Sequence, residues 1–369
     1  MPEAYTSTVV LLSKGLARYR HNFTEHFAAA LPPTVRVIAC PLGDQYWEVD
    51  FPALKARRGR VEYRDFPRCT AELAAMRPTV LCTMEYPPKM LRPMFWAKQH
   101  SIPVVVFSDL GKHPPKQHQI SWRTRLQHQC FARFTDAQVA MAPAAMTPHG
   151  ARHRPVLFAP HSVDTHDFTY RPAHPSGKCV LLYVANYAYH KGHDLLLQAL
   201  LRIRQQQRDV EFELRLVGYS DPAWLRGIIA QAGLEDVTTI TGILQGQALI
   251  DEFQRADLFV FPSRGDTYGV VAQEAAASGL PIVISRFAGA SYNLVHEGVN
   301  GHIIDPHDTS AFAARLGALM TSPACWQAMG TASRTIAERY CVRRTARNVA
   351  DWLLPVLEGS ARLPVQTNA

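Results

Sequence analysis

Two carboxylates and a helix that opens at a glycine lie close together in PSRGDTYGVVAQEAAASGLPIVIS, from Pro262 to Ser285. Asp266 precedes the helix and Glu274 falls on its second turn, so both can face one ligand and accept hydrogen bonds from sugar hydroxyls. The same spacing also suits a blander arrangement, in which Asp266 caps its loop and Glu274 makes an ordinary surface pair. Between them Gly269 places no side chain in the path of a phosphate approaching the free amides of Val270 and Val271. The helix dipole adds about half a positive charge there, so a diphosphate is the ligand this entrance suits. The helix stops at Gly279, with Pro281 just beyond, as a glycine-capped helix does.

Further polar residues stand just after apolar runs. Lys191 lies on a polar loop in VANYAYHKGHDLLLQAL, from Val184 to Leu200, where a solvated charge is the alternative to a ligand contact. LLSKGLARYRHNF places Ser13, Lys14 and Gly15 in a short glycine loop, which a simple turn explains equally well, and Arg18 and Arg20 follow within reach of an anion. SDLGKHPP places Asp109 and, four residues later, His113 just after the apolar run at 104. The histidine pairs HGARH (149–153) and HKGH (190–193) have no convincing third ligand, and no Asp-x-Asp occurs, so no metal site is expected.

The elements that must position these residues are legible as alternation. Short apolar or β-branched runs begin at 9, 35, 79, 104, 138 and 156, and again at 179, 212, 237, 258, 281 and 301, with amphipathic stretches such as Lys89 to His100 and Trp122 to Thr135 between them. This is α/β throughout, the pattern of parallel sheets covered by helices. The polar, proline-bearing segment from His161 to Lys178 reads as a linker. It separates a Rossmann-like domain over 1–165 from a second over 176–340, and two long helices from about Ala324 to Gly359 close the chain, the last (about 342–359) packing back on the first domain. Two doubly wound domains imply a cleft at the carboxyl ends of their strands.

Charge is uneven. Residues 1–160 hold 21 Lys and Arg against 11 Asp and Glu, and the remainder 18 against 20. A basic first half favours anionic partners, a phosphorylated acceptor or an acidic membrane surface, and its densest run is KARRGRVEYR, from Lys55 to Arg64, unless that run is merely a solvated face. Helix-turn-helix, zinc and aromatic-interleaved signatures are lacking, so nucleic acid is not an expected partner. No apolar run approaches the roughly 20 residues that span a bilayer, and no secretory leader is evident, which places the chain in the cytoplasm, with peripheral contact at the inner face of a membrane. Seven scattered cysteines form no CxxC pair and suggest reduced thiols.

The segment from Pro262 resembles glycosyltransferase family 4, retaining enzymes of the GT-B fold, with their pattern PSxxExFGxxxxEAxAxGxPV. Pro262, Ser263, Gly269, Glu274, Ala275, Ala277, Gly279 and Pro281 match, while Asp266 stands where Glu is usual and Tyr268 where Phe is. The resemblance implies two Rossmann-like domains with an interdomain cleft, the second holding a nucleoside-diphosphate sugar as substrate and no cofactor. It implies that Glu274 binds ribose, Asp266 a sugar hydroxyl, and Thr267, Tyr268, Gly269, Val270 and Val271 the rest of the donor. Lys191 matches the lysine that meets the donor phosphates, with Asn186 where an arginine is usual, and the turn at Gly242 and Ile243 is where members cradle the base. Gly15 would approach the diphosphate, Arg18 and Arg20 an anionic acceptor, and Asp109 stands where many members have histidine. Asp109, His113, Lys191 and Asp266 are thus the candidates for catalysis, and the partners are the nucleotide sugar and a glycan, lipid-linked or small-molecule acceptor. Rival readings are a degenerate sugar-nucleotide-binding protein or a GT-B epimerase. A nicotinamide oxidoreductase is disfavoured because no G-x-G-x-x-G follows a predicted strand.

Overall fold

The computed structural model describes residues 5–42, 46–47, 49–85, 87–109, 122–146, 154–168, 178–207, 209–218 and 223–359. The described chain forms two compact units, one holding residues up to Asp164 and again from Cys341, the other Thr165–Tyr340.

The first unit carries strands β1 (Ser7–Ser13), β2 (Leu16–Ala17), β3 (Val35–Pro41), β4 (Tyr46–Trp47), β5 (Val61–Tyr63), β6 (Val80–Met84), β7 (Val104–Ser108), β8 (Ala137–Ala140) and β9 (Val156–Phe158). Its described helices are α1 (Arg18–Ala30), α2 (Phe51–Ala56), α3 (Thr70–Ala75), α4 (Leu91–Gln99) and α5 (Trp122–Ala132), and the last described helix, α12 (Val342–Leu357), belongs here too. Seven strands pair in the order β5-β3-β1-β6-β7-β8-β9, all parallel, while β2 and β4 form a separate pair. The order grows from β1 toward one edge and then restarts at β6 toward the other, so the switch of direction falls between β1 and β6. Because side chains alternate along a strand, Val9 and Leu11 face one core with Phe23 and Phe27 of α1 and Val349 and Leu353 of α12. Val10 and Leu12 face the other, with Leu73 of α3, Met94 of α4 and Phe131 of α5.

The second unit contains β10 (Cys179–Val184), α6 (His193–Gln206), β11 (Phe212–Val217), α7 (Ala223–Ala232), β12 (Thr238–Gly242), α8 (Gln247–Arg255), β13 (Leu258–Phe261), α9 (Val270–Ala277), β14 (Ile282–Ser285), β15 (Gly301–Ile304), α10 (Thr309–Met320) and α11 (Pro323–Arg339). Its strands run parallel in the order β12-β11-β10-β13-β14-β15, so the corresponding switch lies between β10 and β13. The expected fold class is thereby met: two doubly wound α/β units, with a strand at every predicted apolar run.

The basic run from Lys55 to Arg64 departs from the picture of a free anion-binding stretch. It spans the end of α2 and the whole of β5. The Arg60 guanidinium donates to the carbonyls of Ala28 (3.0 Å), Leu31 (3.1 Å) and Pro32 (3.0 Å), satisfying the C-terminal end of α1 where a cation is favoured. Lys55 pairs with Asp65 at 2.9 Å, and Arg64 with Glu62. Lys55, Arg57, Arg58 and Arg60 are all exposed, but Lys55, Arg60 and Arg64 have these partners within the chain.

Candidate active site

The loops after β10 and β13 flank the switch point of the second sheet, and their backbones are fastened together. Lys191 ends a single helical turn, Tyr189–Lys191, and Gly192 then takes φ +74° before α6 begins. A Cβ on Gly192 would lie 2.2 Å from the carbonyl oxygen of Pro262, so only glycine allows this approach. The His190 carbonyl accepts from the Arg264 amide (2.8 Å) and from Ser263 Oγ (3.2 Å). The Arg264 guanidinium donates to the Tyr189 carbonyl (2.8 Å), grips both oxygens of Asp194 at 2.7 and 2.6 Å, and lies 3.9 Å from the centre of the Tyr189 ring. Burial raises the Asp194 pKa, but the Arg264 fork outweighs it and holds the carboxyl below its usual range.

Lys191 and Asp266, predicted from separate motifs, meet here: Nζ donates to Oδ2 at 2.6 Å, with side chains 18% and 13% exposed. The ammonium also sits 5.9 Å from the Phe261 ring centre. Asp266 Oδ1 accepts the Tyr268 amide at 3.1 Å, so this carboxylate both caps its loop and faces Lys191. Gly269 is the N-cap of α9 at φ +91°, and a Cβ there would lie 2.9 Å from the Phe261 ring. Its glycine is therefore required by backbone and packing as well as by any ligand. The amides of Val270 and Val271 open α9 and have no acceptor one turn back within it. Glu274 lies on the second turn, partly buried, and Thr267 is partly exposed beside Asp266.

Other residues predicted to hold a donor are placed less directly. The Tyr268 side chain is a correction: it is buried, its hydroxyl donating to Gln273 Oε1 and accepting from Asn293 Nδ2, both at 3.3 Å, so only its backbone faces the loop. An aromatic ring there fills the core beneath α9. Asn186 is partly buried after β10, Gly242 takes φ +77° at the end of β12, and Ile243 is exposed. His193, half of the HKGH pair, is buried among Tyr183, Tyr187 and Trp224 at centroid distances of 4.7, 5.5 and 6.1 Å, and burial lowers its pKa to about 4. It is a neutral packing residue.

In the first unit, Gly15 follows β1 and is buried, and Lys14 beside it is exposed. Arg20 is committed to internal partners, donating to Glu85 and, at 3.5 Å, to the Gly15 carbonyl, and Arg18 is partly buried at the start of α1. Glu85 directly follows β6 in a left-handed conformation, φ +64°, a strained backbone at the switch point of this sheet. Asp109 Oδ1 accepts a hydrogen bond from His161 Nε2 at 2.7 Å. Burial pushes the Asp109 pKa up, but His161 and Arg20 outweigh it and hold the group below its ordinary value. His161 meets Tyr19 edge-on at 5.4 Å, and Tyr19, Arg20, Phe107, Met141, His161 and Ser162 line one small cavity. His113 and the pair at 149–153 lie outside the described residues. Arg264, Asp194, Glu85 and His161 were not singled out from sequence, although His161, Asp194 and Arg264 fall inside segments that were.

The Arg264 fork gives a direct stability test. Charge-assisted hydrogen bonds contribute about 1.5–3 kcal/mol when shielded, so Arg264→Ala is expected to cost about 2 kcal/mol, read as a lower urea midpoint. Arg264→Lys keeps the charge but loses the bidentate geometry, and should recover only part of it. A wild-type midpoint for Arg264→Ala would mean the clamp is not formed.

Comparison with known proteins adds independent support. Residues 178–322 match the family model described as glycosyl transferases group 1. The D-inositol 3-phosphate glycosyltransferase of Arthrobacter sp. (strain FB24) is 32% identical over 199 residues, 51% of this chain and 47% of that one. Its counterpart in Pseudarthrobacter chlorophenolicus is 30% identical over 228 residues, 58% and 54% of the two chains. The chain thus spans about half the length of the curated relatives it matches. Among solved structures, sucrose-phosphate synthase from Thermosynechococcus elongatus superposes with TM-score 0.76 at 17% identity, over 96% of this chain and 100% of that one. Anabaena HepE, solved with UDP, gives 0.73 at 17% identity, over 94% and 99%. At that identity the likeness speaks for the two-domain GT-B fold alone.

Proposed function

Residues 178–322 belong to the glycosyl transferases group 1, and from that premise we propose that this chain moves a sugar from a nucleoside-diphosphate sugar to a glycan, lipid-linked or small-molecule acceptor, with retention and without a metal ion. The observation that carries the reading is the pairing of Lys191 with Asp266 beside the open amides of α9, at the switch point of the second sheet. Doubly wound sheets take their ligands at that point. Departure of a nucleoside diphosphate leaves negative charge on its phosphate, and fixed donors there lower the barrier most. Lys191 and the amides of Val270 and Val271 supply those donors. Asp266 orients a sugar hydroxyl, Glu274 holds the ribose, and the base rests near Gly242 and Ile243. Asn186 contributes a neutral donor where a charge is usual, which makes Lys191 more important.

The first unit takes the acceptor, near Gly15, Arg18 and the Asp109–His161 pair. Arg20 acts through its ion pair with Glu85 and shapes that pocket. The relatives named for inositol 3-phosphate favour an anionic acceptor, and the UDP held by the Anabaena protein favours a uridine nucleotide on the donor. No helix among the described residues is long and apolar enough to cross a membrane. We place the chain in the cytoplasm, in peripheral contact with an anionic membrane surface.

A thermal-shift panel of nucleoside diphosphates and nucleotide sugars tests the donor site. At a hundredfold excess over Kd a bound nucleotide should add about 2.7 kcal/mol of stability. A uridine nucleotide is expected to give the largest shift, and Glu274→Ala should abolish it. Binding without turnover of any nucleotide sugar would turn the reading toward a degenerate sensor, and no shift across the panel would remove it.

A further inference from the structure

Four large apolar side chains remain at the surface of two helices of the first unit. Leu91 and Phe95 of α4 are 37% and 48% exposed, and Trp122 and Leu126 of α5 are 70% and 53% exposed. Each pair is spaced four apart, so each forms one stripe on its helix. Both helices rest on one core, through Met94 and Ala97 of α4 and Phe131 of α5. The Phe95 ring meets that of Phe134, just past α5, edge-on at 5.8 Å. The two stripes therefore share one side of the sheet.

The charged residues that flank them in sequence are mostly basic. Residues 86–135 contain eight Lys and Arg against one acidic residue, Asp109, which His161 already occupies. Lys89, Arg92, Arg123 and Arg133 are exposed, and Arg123 lies 5.6 Å from the Trp122 ring. Among the described residues in this stretch, Lys98 is the base tied to a carboxylate, Asp136, at 2.5 Å. The run from Lys55 to Arg64, by contrast, spends much of its charge on internal carbonyls and carboxylates.

We propose that the α4–α5 face of the first unit is a membrane-docking surface whose partner is an anionic phospholipid bilayer. This deepens the peripheral contact proposed above by giving it a location, and it stands apart from the donor site. Leucine and aromatic side chains enter the boundary between headgroups and acyl chains, while the arginines and lysines keep their charges among lipid phosphates. An anionic bilayer meets both halves of the pattern. The charge of a nucleic acid meets the bases but leaves Leu91, Phe95 and Leu126 without an apolar partner.

The test is co-sedimentation of the full chain with phosphatidylcholine vesicles, with and without phosphatidylglycerol, and with labelled duplex and single-stranded oligonucleotides as competitors. Binding is expected only with phosphatidylglycerol, falling with salt and accompanied by a blue shift in tryptophan emission. Trp122→Ser with Leu126→Ser should lower the partition coefficient at least about tenfold, from the lost insertion of two apolar side chains. Arg92→Gln and Arg123→Gln should each lower it about fivefold. Arg57→Gln with Arg58→Gln should leave it unchanged, and Trp122→Phe should keep binding while losing most of the blue shift. Unchanged melting temperatures and nucleotide responses will show that these variants are folded. Wild-type protein that ignores the vesicles, vesicle binding indifferent to the α4–α5 variants, or preferential binding to oligonucleotide would each overturn the proposal. A chain that binds vesicles but no nucleotide would leave it standing and remove the transferase reading instead.

Discussion

Replacing Lys191 by alanine is expected to lower kcat for the nucleotide sugar by about 10²–10³-fold, the size of effect seen when one preorganised donor to a developing anion is removed. KM should change less, because in the proposed role the charge that Lys191 meets would grow as the glycosidic bond breaks. The Asn186 position sharpens the expectation, since the same loop has no arginine there to share the load. Part of the loss will come through Asp266, which Lys191 holds at 2.6 Å and which would be left a partly buried carboxylate without its cation. A double-mutant cycle separates the two roles. If Lys191 acts on the phosphate, Lys191→Ala should remain far more damaging than Asp266→Asn, with the double variant close to Lys191→Ala alone. Additive losses of less than about tenfold each would reduce the pair to an ordinary ion pair of the kind that contributes little.

The second large effect is expected at Gly192. Its φ of +74° costs an L residue about 1–2 kcal/mol, and the overlap of a Cβ with the Pro262 carbonyl at 2.2 Å must be relieved by parting the two loops. Gly192→Ala is therefore expected to destabilise the protein by about 3 kcal/mol or more and to weaken nucleotide binding, because Lys191 is carried on the displaced loop. Gly298→Ala is the matched control. That glycine has φ +73° with nothing within 4 Å of an added Cβ, so only the conformational cost of about 1–2 kcal/mol applies. Urea midpoints of the two variants check the comparison. Equal midpoints would show that the approach of the loops is not tight.

How much of this was legible in the sequence depended on the distance over which partners had to be found. Strands buried on both faces appear as apolar runs, and each predicted run became a strand. Strand β5 did not stand out, because its three residues, Val61–Tyr63, lie inside a run dominated by arginine. The local signals at Gly269 and Gly279 were read from spacing, and both glycines have positive φ. Asp266 illustrates the limit. Its alternatives, a loop cap or a ligand-facing carboxylate, are not exclusive, since its two oxygens meet the Tyr268 amide and the Lys191 ammonium. No local pattern could reveal the Arg264 fork, whose partner Asp194 is 70 residues away, or the Arg20–Glu85 pair, separated by 65. Tyr268 stands at a motif position that suggests ligand contact, yet its ring serves the core, a distinction set by packing that sequence spacing does not carry.

Helix α12, the last described element, completes the core that β1 begins. Ser7 Oγ donates to the Leu357 carbonyl at 2.7 Å across 350 residues, and Val342, Val349 and Leu353 lie in one cluster with Phe23 and Phe27 of α1. The cost in entropy of closing so long a loop grows only logarithmically with its length. The cost in time is set by synthesis, since a ribosome delivers residues at about 5–20 per second. The second unit, continuous from Thr165 to Tyr340, has all its strands and helices before α12 is made. Of the two units, the one whose strands are made first is the one whose core is completed last, and until α12 is made the face of α1 that packs on it has no cover from that helix.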